Sequence, residues 1–343
     1  MFRILVLVFC LVALPAHAAG QPVVLLPAAL AGSLASLGLP GSPQAVVWHD
    51  ANEALRLLQA GPQGSPPALA VLPARAADEA VRQGLLAPLP PEEAAASPDS
   101  LRLPSDPDAN LARPWLWDAT GIGYDALAAS PPASLKELWM PGHAGSVALP
   151  DDAERVMEMT LLLLGYPADD ADPGHIDQAR QFLSGLVPRA LVGASPAFAP
   201  LADGSAGIGI FNATDVARAR RDAVLPRADF AAPEDGFLLR PLYVVLPKTA
   251  SADAQALAQA LLTPEAEVRA AAASLMAPAD PAAVSLLPPE LRALPPASLS
   301  PETLRLGRLA LPTPDALAAY RAAWKALRAL PGAKSSAVSP TLP

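Results

Sequence analysis

The sequence is almost without cysteine, since Cys10 is the one residue of this type among 343. Cys10 lies inside an apolar N-terminal stretch that is predicted to be removed on export. The mature chain is therefore expected to hold no thiol, no disulfide and no cysteine metal ligand. An exported chain without disulfides favours the bacterial periplasm over a eukaryotic secretory route.

Histidine and the common catalytic motifs are also scarce. Beyond the N-terminal stretch, His49, His143 and His175 are scattered and lack the spacing of metal ligands. No G-x-S-x-G, H-E-x-x-H or P-loop pattern occurs, and TGIGYD (120–125) has two glycines where a dinucleotide fingerprint needs three. The sequence predicts neither an enzyme nor a cofactor or metal.

Basic residues are outnumbered, with 24 Lys and Arg against 33 Asp and Glu, which gives a formal net charge of −9. Nucleic acids need a basic surface to neutralise their phosphates, so a nucleic-acid partner is not expected. An acidic protein is compatible with a small cationic ligand.

Long apolar runs are missing after the first 18 residues, so no later segment is expected to cross a membrane. Residues 1–18 combine the positive Arg3, an apolar stretch at 4–16 and an A-x-A cleavage site at 16–18. This pattern predicts a cleaved signal peptide and a periplasmic location. Cys10 is not at the cleavage point, so a lipoprotein anchor is not expected.

Proline is abundant, with 42 residues, and predicts many short elements separated by rigid loops. Short apolar runs of strand length alternate with helix-like stretches from residue 22 onward, which indicates a mostly parallel α/β sheet. The predicted strands are PVVLL (22–26), AVVW (45–48), ALAVL (68–72), VALP (147–150), ALVGA (190–194), GIGIF (207–211) and FLLRPLYVVLP (237–247).

The order of these elements predicts two α/β lobes, the first interrupted by the second. Residues 19–116 and 243–330 are assigned to the first lobe, 117–242 to the second, and 331–343 to a disordered tail. Two segments that cross between the lobes would form a hinge. Such a protein is suited to closing on a ligand held between its lobes.

LPDDAERVMEMTLLLLGY (149–166) places two acids ahead of an apolar helix. One interpretation is helix capping, in which Asp151 is the N-cap and Asp152 complements the helix dipole. The other is that Asp152 contacts a cationic ligand. Both interpretations of Asp152 stay open at this point.

SLKELWMPGHAGSVALPDDAERVMEMTLLLLGY (134–166) closely resembles the periplasmic spermidine/putrescine-binding proteins of ABC uptake systems. PWLWDATGIGYD (114–125) and DANEAL (50–55) resemble further segments of that family, and the helix predicted at 315–330 lies where its members end. The resemblance implies the type 2 periplasmic binding fold. Each lobe would have a mixed, mostly parallel sheet flanked by helices, with the ligand in the cleft between lobes.

The resemblance also implies a set of ligand-binding residues. Asp152 would pair with an ammonium group, and Trp117 and Phe211 would form apolar walls. Asp118 replaces a small residue of the family pattern and is a candidate second carboxylate. The partners would be a polyamine or another small solute and the membrane permease of an ABC importer. The protein itself would be a monomer.

Most polyamine-contacting positions of the family are substituted in this chain. Arg155 lies at the position expected to face the pocket, and Glu154 is expected to point away from it. Arg240 lies in the strand predicted at 237–247, at a position where the family has an aromatic residue. Two hypotheses follow. The protein binds a polyamine, or it is a divergent member of the fold in which Arg155 and Arg240 clamp an anionic solute or which acts as a scaffold.

Overall fold

The computed structural model describes residues 21–61, 66–91, 97–140, 142, 147–193, 198–332 and 334–335. The predicted signal segment 1–18 and His143 lie outside the described residues. Within the described ranges, no helix is long and apolar enough to span a membrane.

The strands of the described residues pair into one mixed sheet. They are β1 (Val23–Pro27), β2 (Gln44–Trp48), β3 (Leu69–Pro73), β4 (Leu86–Ala87), β5 (Ala112–Asp125), β6 (Val147–Pro150), β7 (Ala190–Gly193), β8 (Ile208–Asn212), β9 (Ala228–Ala231), β10 (Phe237–Pro247), β11 (Ala277–Pro278), β12 (Gly307–Leu309) and β13 (Lys334–Ser335).

Helices cover both faces of this sheet. They are α1 (Ala28–Ala31), α2 (Ala51–Ala60), α3 (Ala74–Arg82), α4 (Ala153–Leu163), α5 (Pro173–Ser184), α6 (Ala199–Ala202), α7 (Ala213–Arg221), α8 (Ala252–Leu261), α9 (Pro264–Ser274), α10 (Pro281–Leu286), α11 (Pro289–Arg292), α12 (Pro301–Leu304) and α13 (Pro314–Arg328).

The sheet is parallel at its two sides and antiparallel in the middle. β1 pairs in parallel with β2 and β3, and β6 pairs in parallel with β7 and β8. Between these sets run the long strands β5 and β10, which are antiparallel to each other and place Asp118 opposite Arg240. The two crossing segments predicted as a hinge are thus β5 and β10.

The buried apolar side chains form two main clusters, one for each lobe. The first is built on β1, β3, α3 and α8, and the second on β6, β7, α4 and α5. β5 contributes to both, with Leu116 in the first cluster and Ile122 in the second. Because each cluster excludes water independently, the chain has two cores joined by continuous strands.

The C-terminal helix α13 corrects the predicted lobe assignment of 243–330. Tyr320 and Trp324 of α13 belong to the second apolar cluster, together with α4 and α5. The Tyr320 hydroxyl donates to the carbonyl of Asp170 at 2.7 Å, and the Trp324 indole donates to Asp151 Oδ1 at 2.9 Å. The last helix therefore crosses back to the second lobe. The other lobe boundaries remain a proposal.

The predicted disordered tail at 331–343 is corrected at two residues. Lys334–Ser335 form β13, which pairs in parallel with β7. Residues 336–343 lie outside the described residues.

The glycines of TGIGYD have a packing role in β5. A Cβ on Gly121 would lie 2.7 Å from the Phe230 ring, and one on Gly123 would lie 2.7 Å from the Phe211 ring. Both positions therefore need the smallest residue so that aromatic rings can cover the strand.

Candidate functional site

A cavity of about 480 Å³ opens between the two lobes, beside the crossing strands. It is lined by both lobes: Pro73 and Arg75 come from the first, Asp152 and Arg155 from the second, and Arg240 from β10. The charged side chains in its lining are Asp50, Asp118, Asp152, Glu154, Arg75, Arg155, Arg240 and Arg321. The cleft thus presents acids and guanidinium groups in equal number.

Two further cavities each lie within the first lobe. One of about 250 Å³ is lined by Arg113, Glu267 and Asp280 of the first lobe, where Glu267 accepts from the Asp280 amide at 3.1 Å. Another, of about 500 Å³, lies along Pro22, Gly41 and the start of α8. Neither bridges the lobes, so the interlobe cavity is the candidate binding site.

Asp152 ends the short loop after β6 and begins α4. Its Oδ1 accepts from the Arg155 amide at 3.1 Å, so Asp152 is the N-cap. The prediction that Asp151 caps the helix is wrong, because Asp151 instead accepts from Trp324 of α13 at 2.9 Å. Asp152 also lines the cavity, with 39% of its side chain exposed. Helix capping and a cleft position therefore coincide in one residue.

Arg155 lies in the first turn of α4 and lines the cavity, as expected. Its Nη2 is 3.4 Å from Asp152 Oδ2, while its Nε is buried without a hydrogen-bond partner. Glu154 was expected to turn away, yet it lines the cavity as well. The first turn of a helix that points into a cleft exposes more than one face, which is why both neighbours reach it.

Arg240 of β10 pairs with an acid that the sequence reasoning missed. Its Nη2 donates to Glu158 Oε2 at 2.8 Å, and Glu158 is completely buried one turn below Glu154. Burial raises the pKa of Glu158 to about 8, and the Arg240 guanidinium opposes this shift. Within the described part of the chain, Glu158 Oε1 has no hydrogen-bond partner. The signal that could have identified it is a glutamate between Met157 and Met159, in an otherwise apolar run.

Asp118 lies in β5 at the floor of the cavity and is buried. Its carboxylate accepts from the Ala119 amide at 2.8 Å, the Thr214 amide at 3.1 Å and the Thr214 hydroxyl at 2.6 Å. Burial raises the pKa of Asp118 to about 6, against the hydrogen bond from Thr214. Asp118 therefore caps α7 from a neighbouring strand while its charge faces the cleft.

The two predicted aromatic walls do not line the cavity. Trp117 is buried at the crossing strands, where its indole donates to the Pro278 carbonyl at 3.1 Å. Phe211 is buried against Phe198, with ring centroids 4.9 Å apart. Large aromatic side chains on central strands are more strongly stabilised by core packing than by partial exposure in a cleft, which is the physical reason for both corrections.

The aromatic lining comes from Trp48, which the sequence reasoning also missed. Trp48 ends β2, lines the cavity and donates its indole N–H to the Val71 carbonyl at 2.8 Å. Its position at the carboxyl end of a parallel strand, where α/β sheets commonly bind ligands, was the available signal.

Arg75 provides the cation of the first lobe. It lies in the first turn of α3, its Nη1 donates to Asn52 Oδ1 at 2.8 Å, and its Nε is buried without a hydrogen-bond partner. The N-cap of α3 is Pro73, which has no side-chain hydrogen bond to offer the first amides of the helix.

The cavity as a whole offers carboxylates for an ammonium group and guanidinium groups for an anion.

Comparison with known proteins identifies similar chains. A family model described as bacterial extracellular solute-binding protein matches residues 63–296. The spermidine/putrescine-binding periplasmic protein of Escherichia coli (strain K12) is 40% identical over 93 residues, which are 26% of this chain and 27% of that protein. The corresponding protein of Salmonella typhimurium is 38% identical over 93 residues, again 26% and 27% of the two chains. The matched segment thus spans about a quarter of each curated relative.

Solved structures match over nearly the whole fold. The spermidine/putrescine ABC transporter substrate-binding protein PotD of Streptococcus pneumoniae has a TM-score of 0.75 at 19% identity, covering 90% of this chain and 99% of its own. A putative spermidine/putrescine ABC transporter protein of Listeria monocytogenes has a TM-score of 0.72 at 21% identity, covering 90% and 98%. The predicted two-lobed α/β fold and the predicted resemblance are confirmed.

Proposed function

The chain belongs to the family of bacterial extracellular solute-binding proteins, and we propose that it captures a polyamine-type ligand for an ABC importer. The ligand is held in the cavity between the lobes, and closure of the lobes traps it. The closed form is the one that the membrane permease recognises. The names of the relatives that match this chain, spermidine/putrescine-binding proteins, support the ligand class.

The observation that carries this proposal is the position of Asp152. It is the N-cap of α4, lines the interlobe cavity and has 39% of its side chain exposed, so its carboxylate is available to an ammonium group. Asp118 at the cavity floor provides a second carboxylate, and Trp48 provides an apolar wall. An ammonium group that leaves water needs such acids, since an unpaired buried charge is costly.

Capture operates by a shift in population between open and closed forms. β5 and β10 connect the two apolar clusters, so a change in their twist moves one lobe against the other. A ligand that contacts Arg75 of the first lobe and Asp152 of the second lobe at the same time stabilises the closed form. Binding, not catalysis, is the proposed activity.

Location and partners follow from the same proposal. Residues 1–18 direct export and are cleaved, so the mature protein works in the periplasm. It acts as a monomer that delivers its small solute to the permease.

One observation favours a second candidate function. Four arginines, Arg75, Arg155, Arg240 and Arg321, line the cavity. A carboxylate- or phosphate-bearing solute would be held by guanidinium groups of this kind, in a divergent member of the family that no longer binds polyamines.

The test is a calorimetric titration of the secreted protein with putrescine and spermidine. We expect binding that Asp152→Asn removes. Asp151→Asn is the matched control, because Asp151 is the adjacent acid, contacts Trp324 instead of lining the cavity, and the amide oxygen still accepts from the indole. Binding that Asp152→Asn leaves unchanged, or binding of anions alone that Arg240→Ala weakens, would overturn the polyamine proposal.

A further inference from the structure

The charges of the cleft are matched unevenly among themselves. Arg155 has Asp152 at 3.4 Å, and Arg240 has Glu158 at 2.8 Å. Arg75 has an amide partner, Asn52, and no acid within the described residues. Arg321, on α13, likewise has no hydrogen bond or ion pair to any residue that the structure describes, although it lines the cavity.

The same accounting leaves three acids available. Asp50 accepts hydrogen bonds from the amides of Asn52 and Glu53 but has no ion-pair partner among the described residues. Asp118 accepts hydrogen bonds from Thr214 and Ala119 but has no ion-pair partner among the residues that the structure describes. Glu154 forms no hydrogen bond or ion pair to another described residue. Once the internal pairs are set aside, three carboxylates and two guanidinium groups face one cavity.

This residual charge selects among ligand classes. A diamine would satisfy the acids, but closure would then bury Arg75 near ammonium groups without an anion. A dicarboxylate would satisfy the arginines and leave Asp118 and Glu154 desolvated. Either mismatch carries the cost of an uncompensated buried charge.

Arg75 is well placed to receive an anion. Its side chain lines the cavity, and its buried Nε has no hydrogen-bond partner among the described residues. The first amides of α3 lie beside it, after an N-cap that offers no side-chain acceptor. A carboxylate at this point would accept from the guanidinium and from the positive end of the helix.

We infer that the ligand carries an ammonium group at one end and a carboxylate at the other, and that Arg75 binds the carboxylate. This inference rests on the proposed function, since it assumes that the interlobe cavity is the binding site. The ligand class is an ω-amino acid or a polyamine derivative with an acidic end. The ammonium faces the exposed carboxylate of Asp152 together with Asp118 and Glu154, and the carboxylate bridges toward Arg321 as the lobes close.

The test compares three probes with equal chain length: putrescine, γ-aminobutyrate and succinate, each titrated into the secreted protein by calorimetry. We expect γ-aminobutyrate to bind at least about tenfold more tightly than the other two, since each end then meets an opposite charge. Arg75→Gln should weaken γ-aminobutyrate about tenfold and leave putrescine unchanged or slightly tighter.

Arg82→Gln is the matched control. Arg82 is on the same helix, pairs with Asp78 at 2.8 Å and does not line this cavity, so its loss should leave all three affinities unchanged. Thermal unfolding of both variants verifies that they fold as the parent protein does.

The possible outcomes separate this inference from the proposed function. Putrescine binding more tightly than γ-aminobutyrate overturns the inference and leaves the polyamine proposal intact. Succinate binding most tightly overturns both in favour of an anionic solute. If neither these probes nor the longer set of cadaverine, δ-aminovalerate and glutarate binds, both the inference and the proposed function are overturned.

Discussion

The two walls of the cleft hold their charges in different ways. On the second-lobe wall and β10, Arg155 and Arg240 are matched by Asp152 and Glu158. On the first-lobe wall, Arg75 has only the amide of Asn52. On the second-lobe wall, called the matched wall below, each arginine has an acidic partner within the protein. On the first-lobe wall, called the unmatched wall, Arg75 would gain an acidic partner only from a ligand. Removing Arg240 from its buried pair with Glu158 should therefore affect stability, whereas removing Arg75 should affect binding.

Arg240→Ala should give the largest effect. At pH 9 Glu158 is ionised, so removal of the Arg240 guanidinium leaves a buried carboxylate without its cation. This should lower the free energy of unfolding by about 3 kcal/mol. At pH 6 the loss should be smaller, because the pKa of Glu158 is already about 8 and the residue takes up a proton easily. Urea denaturation at both pH values measures the difference.

Arg75→Ala is the control from the unmatched wall. It should cost less than about 1 kcal/mol at both pH values, because no buried acid depends on it. Equal losses from the two variants would contradict the distinction between the walls.

Glu158→Gln should change how stability depends on pH. The pKa of Glu158 is raised by burial from its ordinary value of 4.5 to about 8, so the folded state holds this proton more tightly than the unfolded state. Its contribution is therefore fully present below about pH 4.5 and is lost as pH rises through about 8. Relative to Glu158→Gln, the parent protein should lose about 1.4 kcal/mol of stability for each pH unit between pH 5 and pH 8. Parallel pH profiles from denaturant titrations would show that Glu158 does not titrate in this way.

Binding of an amine should depend on the charge of Asp118. Burial raises the pKa of this residue to about 6, so it ionises as pH rises from 5 to 7. The affinity for putrescine should then rise about tenfold over that range, following the ionised fraction. Calorimetric titrations at three pH values measure this rise, and Asp118→Asn should abolish it. A rise that persists in the variant would assign the titration to another group.

Asp152→Ala should have a smaller effect on stability than Arg240→Ala. Loss of the N-cap of α4 should cost about 1 kcal/mol. Asp152→Asn should cost much less, since asparagine caps helices nearly as well, so any loss of binding in that variant reports on charge. Thermal unfolding of the two variants compares them. An Asn variant as unstable as the Ala variant would show that the carboxylate charge itself holds the helix.

Local pattern was a good guide to the elements. β10 spans Phe237–Pro247, the same bounds as the predicted long strand, because its apolar residues are buried on both faces. The acid pair before the apolar run correctly located the start of α4, although the capping acid is Asp152 and not Asp151. Such features depend on neighbours in the sequence and are therefore visible without a structure.

The interior of the site was less accessible to prediction. Trp117 and Phe211 were expected in the cleft and lie in apolar clusters, while Trp48 and Glu158 were missed. Which face of a strand meets the cleft depends on strand pairing between segments far apart in the chain. A shift of one residue in that pairing exchanges a core position for a cleft position.

The sequence by itself determined the alternating α/β elements, the acidic balance, the family resemblance and the helix that Asp152 begins. These follow from the order of apolar, polar and turn residues along short stretches of chain. Only the tertiary structure decided that Glu158 matches Arg240, that Asp118 caps α7, and that α13 returns to the second lobe. Those contacts join residues separated by at least 82 positions, and burial and charge pairing across such distances act only after the chain has folded.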